Sequence, residues 1–327
     1  MKAIERIAVF TSGGDSPGMN AAIRAVVRTA LLKECSVYGI RRGYQGMVEG
    51  DFQPLTSRSV SNIIQRGGTI LKSARSEAFR TPEGMQMAYD NLRQHQIDAV
   101  VAIGGDGTFR GAEQFCSLHP GIRFIGIPGT IDNDIAGTDY TLGFDTALHT
   151  VIDAVDKIRD TAASHDRCFF IEVMGRDSGC IALWSGLAGG AEEILLPERS
   201  TDVEALIDLL ERGKTTGKRS SIVIVAEGEK SGGAAEVAAL VKEKLPYYDT
   251  KVTVLGHIQR GGSPSVSDRI LGAKFGVWAV EALFNGTDRV MVGVRCGNKE
   301  FTPFSDATRA PEPLDAELYR INRILAT

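Results

Sequence analysis

Asp132 and Asp134 stand two residues apart in Pro128-Gly-Thr-Ile-Asp-Asn-Asp134, directly after the apolar run Phe124-Ile-Gly-Ile127. Core packing gives no reason for two acids there. A Pro-Gly pair stops the strand, and the carboxylates then fall at a strand's carboxyl end, where open α/β sheets bind ligands. Upstream, Gly104-Gly-Asp-Gly-Thr108 puts Asp106 among glycines after a second apolar run, Ala99-Val-Val-Ala-Ile103. Phosphoryl transfer needs in-line positioning, neutralised charge and a base for the attacking hydroxyl. Asp132 is the candidate base, and Asp134 would hold Mg²⁺ or a neighbouring arginine. Asp106 can reach Mg²⁺ directly or through water, and Thr108 can donate to a phosphate oxygen. The bland alternatives are a capped acidic loop for the first motif and an Asx-turn or helix N-cap for the second.

Four other segments fit the same chemistry. Thr11-Ser-Gly-Gly-Asp-Ser-Pro-Gly-Met-Asn20 joins a strand to a helix. Its glycines let backbone N–H groups approach an anion, which the helix N-terminus favours. It is neither a Walker A loop nor G-x-G-x-x-G, and a plain βα turn is the competing explanation. Met174-Gly-Arg176 follows Phe169-Phe-Ile-Glu-Val173 and offers a guanidinium to a moving phosphoryl group or to the base. His257-Ile-Gln-Arg-Gly-Gly-Ser-Pro264 sets His257 and Arg260 beside a glycine pair, which suits a sugar phosphate. Gly67-Gly-Thr-Ile-Leu-Lys-Ser-Ala-Arg75 ends on an arginine able to bridge two phosphates.

The elements that must carry these groups alternate. Apolar runs at 7–10, 37–40, 99–103, 123–127, 168–173, 193–196, 222–226, 252–255 and 290–294 predict strands. Amphipathic stretches at 17–32, 83–95, 109–117, 146–161, 202–212, 234–245 and 267–284 predict helices. Continuous apolar strands between helices indicate parallel sheets covered on both faces. Gly213-Lys-Thr-Thr-Gly217 reads as an exposed loop. The expected fold is α/β, with two doubly wound, Rossmann-like domains and an interdomain active-site cleft. The chain of 327 residues is long for one core, and its glycine turns fall before about residue 140 and again at 256–263. The expected domains are therefore residues 1–143 plus 259–309 and residues 144–258 plus 310–327.

Composition narrows the class. The chain is 43% hydrophobic and 24% charged, with a net charge of −4. That gives no general reason to expect nucleic acid or an anionic membrane as partner. Five cysteines without a C-x-x-C pair fit a reducing, cytoplasmic setting and argue against zinc or a disulfide framework. No apolar run approaches the roughly 18 residues of a membrane span.

In this order, T-S-G-G-D-x-P-G-M-N, G-G-D-G-T, P-G-T-I-D-N-D, M-G-R and H-I-Q-R-G-G resemble the bacterial type of the ATP-dependent 6-phosphofructokinase family, over nearly the whole chain. The glycine-aspartate motif alone is shared with NAD kinases and lipid kinases. The resemblance implies transfer of the γ-phosphoryl group of ATP, with Mg²⁺, to O1 of fructose 6-phosphate. The first domain would bind ATP and the second the sugar phosphate. By matching position, Asp132 activates the hydroxyl, Gly14 offers its N–H to the γ-phosphate and Asp106 organises the metal. Arg75 and Arg176 stabilise the moving charge, and Thr130 and Asp134 complete that group. Ser76, Phe79, Arg80, Gly105, Gly107, Thr108 and Gly111 match the nucleotide positions. Met174, Gly175, Glu227, His257 and Arg260 match the sugar-phosphate positions. Arg167 and Lys251 match positions that reach a neighbouring subunit's substrate, which implies a homotetramer with shared sites.

Two departures stand out. Lys251 occupies a position where the family usually has Arg, so the charge remains and the bidentate fork is lost. Arg24, Arg28, Arg159, Gly190, Glu192 and Lys218 match the pocket where the family binds ADP or phosphoenolpyruvate as effector. Its Arg-x4-Asp segment does not align cleanly with Ser57, Arg58 and Asn62: Arg58 substitutes with a shift of one, and Asn62 supplies no carboxylate. The rival readings are a pyrophosphate-dependent phosphofructokinase and a non-catalytic nucleotide-sensing subunit. The first usually carries Asp after G-G-D and Lys before T-I-D, where Gly107 and Gly129 stand here.

Overall fold

The structure, a computed structural model, describes residues 4–165, 167–218, 220–310 and 313–326. Its strands are β1 (Arg6–Thr11), β2 (Ser36–Ile40), β3 (Phe52–Leu55), β4 (Ala99–Gly104), β5 (Arg123–Pro128), β6 (Arg167–Val173), β7 (Glu193–Leu195), β8 (Ser221–Ala226), β9 (Asp249–Val254), β10 (Val290–Arg295) and β11 (Asn298–Pro303). Its helices are α1 (Met19–Leu32), α2 (Gly43–Glu49), α3 (Pro82–Gln94), α4 (Asp106–Leu118), α5 (Phe144–Ala163), α6 (Cys180–Ala188), α7 (Val203–Thr215), α8 (Ala234–Lys244), α9 (Val266–Phe284), α10 (Phe304–Ala307) and α11 (Ala316–Leu325). They form two compact units. The first takes in the described residues of 1–131, 135–146 and 260–312, the second those of 132–134, 147–259 and 313–327.

The first unit contains a seven-stranded sheet in the order β11-β10-β5-β4-β1-β2-β3. Its inner pairs are parallel, and β3 and β11 close the edges antiparallel. The inner strands are apolar on both faces because both faces are covered. In β1, Ile7 and Val9 join a core with Val26 of α1 and Phe275 of α9. Ala8 and Phe10 point the other way, to Leu92 of α3 and Phe109 and Phe115 of α4. Each such buried Val, Ile or Phe contributes about 1.5–3 kcal/mol.

The second unit contains a parallel sheet in the order β7-β8-β6-β9. Phe170, Val223 and Val225 pack there against Leu206 and Leu210 of α7 and Val237 and Val241 of α8. The strand β9 lies at the edge, and its Val252 and Val254 are exposed.

The mixed α/β class with mainly parallel sheets agrees with the sequence. Three details differ. Helix α4 starts at Asp106, so this acid lies in a helical first turn, where it complements the N-terminal dipole. Helix α7 runs through Gly213 and Lys214 to Thr215, in place of the expected loop. Asp202 caps its start by accepting from Ala205 N, and Arg212 and Lys214 sit at the end the dipole favours for cations. The elements α2, α6, α10, β3 and β11 carry no clear period, and the amphipathic α11 was not among the expected helices. Strand β3 contains Pro54, tolerated because the strand is an edge. Among the described residues, no helix is long and apolar enough to cross a membrane.

Candidate active site

Within the first unit, the carboxyl ends of β1 and β4 carry the two glycine motifs. Ser12 N donates to Ile103 O at 2.9 Å, which holds the motifs side by side. A cavity of about 540 Å³ is lined by Gly13, Gly14, Asp15, Gly67, Gly68, Thr69, Lys72 and Ser73, a size usual for small-ligand sites. The Arg260 guanidinium lies so close to Gly14 that an added Cβ would sit 2.3 Å from its Nη1. Arg260 Nη1 also donates to Asp15 O at 3.4 Å. Arg260 therefore approaches the first glycine turn, the motif assigned to the donor's phosphates.

Lys72 escaped the sequence reading. Its backbone is left-handed, with φ 58°, a conformation that favours Gly or Asn. Thr11 Oγ1 donates to Lys72 O at 2.9 Å and helps hold it there. A non-glycine residue in that conformation has no signature in a single sequence. Arg75 is exposed at the end of the same segment.

Asp106 pairs with Arg110 one turn along α4 at 2.9 Å and keeps a side-chain exposure of 35%. No cluster of three metal-ligating side chains occurs among the described residues. This donor set suits Mg²⁺, which usually takes one or two carboxylates plus phosphate oxygens and water. Gly105 caps α4, and an added Cβ at Gly107 would meet nothing within 4 Å. Gly129 differs: its Cβ would press on Met19 at 3.0 Å and Ile103 at 3.2 Å. Met19 and Ile103 thus crowd position 129, whereas Gly107, where the pyrophosphate-dependent relatives usually carry Asp, borders open space that leaves room for a nucleotide.

Three further nucleotide candidates gather around Tyr44. Phe79 is buried and stacks on Tyr44 with centroids 3.9 Å apart. Thr108 is buried, and its carbonyl accepts from Tyr44 Oη at 2.6 Å. A Cβ at Gly111 would lie 3.2 Å from the Tyr44 ring. Ser76 Oγ accepts from Phe79 N at 3.1 Å, and exposed Arg80 pairs with Glu77 at 3.4 Å. Thr130, nearly buried, accepts at its carbonyl from Thr141 Oγ1 at 2.7 Å.

Within the second unit, Asp132 meets the M-G-R motif. The Asp132 side chain is 1% exposed and its Oδ2 lies 3.5 Å from Arg176 Nε, while the Arg176 side chain is 55% exposed. Glu227 Oε1 accepts from Arg176 N at 2.7 Å and from Gly175 N at 3.3 Å. Arg176 is left-handed, with φ 51°, and a Cβ at Gly228 would strike its carbonyl oxygen at 2.0 Å. Cys180 Sγ donates to Asn133 O at 3.7 Å. These contacts draw Asp132–Asp134 into the second unit although its chain neighbours belong to the first.

Met174 N donates to Gln259 Oε1 at 3.2 Å, and buried Gln259 braces Gly256 O through Nε2 at 3.1 Å. The middle of the H-I-Q-R motif is thus a structural tie, while His257 is exposed. Arg167 on β6 and Lys251 on β9 both reach Asp249, at 2.8 and 2.7 Å. Lys251 first and Arg167 second hold the Asp249 carboxyl below its usual value.

The candidate effector residues of the second unit also associate. Arg159 Nη2 donates to Gly190 O at 2.9 Å, and Lys218 pairs with buried Glu192 at 3.0 Å. In the first unit, Arg24 and Arg28 are one turn apart on α1, and Arg58 is exposed.

Two covered sheets with glycine turns and acids at strand ends define a nucleotide-binding type of α/β protein. Comparison with known proteins narrows the class. The family model described as Phosphofructokinase matches residues 6–283. The chain is 56% identical over 323 residues to the ATP-dependent 6-phosphofructokinase 1 of Thermus thermophilus, covering 99% of this chain and all of that one. It is 51% identical over 326 residues to the ATP-dependent 6-phosphofructokinase 2 of Bacteroides thetaiotaomicron, with full coverage of both. The phosphofructokinase structure from Saccharomyces cerevisiae superposes with a TM-score of 0.87 at 38% identity, over 93% of this chain and 45% of the yeast chain. A pyrophosphate-dependent phosphofructokinase from Marinobacter aquaeolei shares the fold, with a TM-score of 0.86 at 23% identity over 96% of this chain and 86% of that one. The chain belongs to the phosphofructokinase family.

Proposed function

We propose that the protein is an ATP-dependent 6-phosphofructokinase, converting fructose 6-phosphate and ATP to fructose 1,6-bisphosphate and ADP. The observation that carries this reading is the buried Asp132 carboxylate beside a half-exposed Arg176. Asp132 takes the proton from the sugar's 1-hydroxyl. The alkoxide oxygen forms the new O–P bond with the γ-phosphorus as the bond to the ADP oxygen breaks. Arg176 and Arg75 offset the charge on the transferring group, with Gly14 N–H, Thr130 and Asp134 as further contacts. Asp106 would hold Mg²⁺, which supplies charge neutralisation on the polyphosphate when bound.

In this reading the first unit carries the nucleotide. The second carries the sugar phosphate through Met174, Glu227 and His257, with Arg167 and Lys251 contributed to a neighbouring subunit of a cytoplasmic homotetramer. The placement of Arg260 against Gly14 and Asp15 supports a contact with the transferring phosphate as well as with the sugar phosphate. An effector pocket around Arg159, Gly190, Glu192 and Lys218 responds to ADP or phosphoenolpyruvate differently from its relatives, because Asn62 supplies no carboxylate. Titrating activity with each effector checks this; strong ordinary responses to both refute it.

Steady-state kinetics with fructose 6-phosphate and either ATP or pyrophosphate tests the main reading. Turnover with ATP is expected. Turnover with pyrophosphate alone would reverse the donor, and turnover with neither would leave a non-catalytic subunit.

A further inference from the structure

The cations assigned above to a neighbouring subunit's sugar phosphate, Arg167 and Lys251, share one carboxylate. Arg167 and Asp249 are register partners on adjacent strands, and Lys251 follows Asp249 by two residues. In a pleated sheet this period puts Asp249 and Lys251 on the same face. Asp249 uses one oxygen for each cation: Oδ2 accepts from Arg167 Nε at 2.8 Å, and Oδ1 meets Lys251 Nζ at 2.7 Å. Among the described residues, one donor position of each cation is engaged. The outer two nitrogens of Arg167 and the remaining protons of Lys251 stay available for phosphate oxygens.

Charge alone would not hold this pair. Two cations on neighbouring strands repel each other, and a lysine has a flexible stem and no fork. A carboxylate between them cancels the repulsion and limits where both heads sit, while one net positive charge remains. The strand β9 is an exposed edge whose side chains have little packing to orient them.

We propose that Asp249 is a positioning residue that spaces Arg167 and Lys251 to receive one phosphate group. The inference rests on the reading that these two cations bind the sugar phosphate. It assigns to a side chain outside the family motifs the task of compensating for the missing arginine fork at 251.

The test is steady-state kinetics on the full-length enzyme with fructose 6-phosphate as the varied substrate, together with inhibition by inorganic phosphate. Arg167→Ala and Lys251→Ala should each raise KM for the sugar phosphate. Asp249→Ala should raise the same KM about three- to tenfold, as expected for the loss of two exposed charge contacts. Its kcat should change far less. Asp249→Asn, which keeps the shape and one acceptor, should fall between Asp249→Ala and the wild type, and Asp249→Glu should recover most of the affinity. Inorganic phosphate should inhibit Asp249→Ala less strongly than the wild type. An unchanged or lower KM in both Asp249→Ala and Asp249→Asn, with KM raised in the arginine and lysine variants, would overturn the positioning role alone. An unchanged KM in Arg167→Ala and Lys251→Ala would remove the reading beneath it as well.

Discussion

Glu227 holds the backbone of Arg176: its Oε1 accepts from Arg176 N at 2.7 Å, while the Arg176 guanidinium turns to Asp132 at 3.5 Å. One carboxylate thus fixes where the arginine starts, and another meets where it ends. Glu227→Ala should lower kcat by roughly tenfold or more, the loss expected for a charge-assisted hydrogen bond. Glu227→Gln, which keeps the acceptor oxygen, should lose less. If Glu227 served the sugar alone, KM would rise and kcat would hold.

Asp132→Asn retains the shape of the buried side chain and removes the base. Kinetics with saturating ATP and fructose 6-phosphate should show kcat reduced about 10²–10⁴-fold, the usual range for a general base. The KM for ATP should stay within a few-fold of the wild type. Full activity in this variant would remove Asp132 from the chemistry.

Gly107 and Gly129 should separate. An added side chain at 107 enters open space, whereas one at 129 meets Met19 and Ile103. Gly107→Asp should fold with nearly unchanged Tm and lose ATP-dependent turnover. Gly129→Lys should lower Tm, because overpacking costs about 1–3 kcal/mol before the burial of an ammonium is added. Thermal melts beside ATP kinetics distinguish the two effects.

Lys251→Arg restores a planar fork on β9. It should lower KM for fructose 6-phosphate without a matching change in kcat. The ion pair with Asp249 can persist, since Arg reaches the same carboxylate. An unchanged KM would show that lysine already suffices.

Two buried thiols set an alkaline limit. Burial pushes Cys116 and Cys168 each up to about 12 from an ordinary value of 9.0. A thiol raised in the folded state favours the protonated form there. Its contribution is complete below pH 9.0 and is lost as pH climbs towards about 12. Denaturant midpoints should therefore fall over that window, and Cys116→Ser with Cys168→Ser should flatten the decline. In native protein, Ellman's reagent should react first with exposed Cys296 and reach Cys35, Cys116 and Cys168 only on unfolding.

The legible parts of the fold were those with a strong period or an unbroken apolar run. Strands β4 and β8 read plainly because every residue in them is buried. Strand β11, Asn298-Lys-Glu-Phe-Thr-Pro303, did not, because an antiparallel edge buries little and needs no pattern. Helix α6 is apolar nearly all round, so its sequence shows no face. The site divides in the same way. Its acids and glycines stood out by type and spacing, while Lys72, Gln259 and Asp249 are common residues whose meaning depends on what the chain folds beside them.

Sequence by itself determined the chemistry on offer: acids at two strand ends, glycine turns for phosphate, arginines to offset charge, and the family that combines them. Such residues announce themselves because function asks for chemical types that packing does not. The tertiary structure alone decided the pairings. It set Asp132 against Arg176 and placed the Arg176 backbone under Glu227. It set Gly129 close against Met19 and Ile103 and joined Arg167 to Lys251 through Asp249. These contacts link residues far apart in the chain, and their geometry follows from strand register and the volume of neighbouring side chains, which no local spacing encodes.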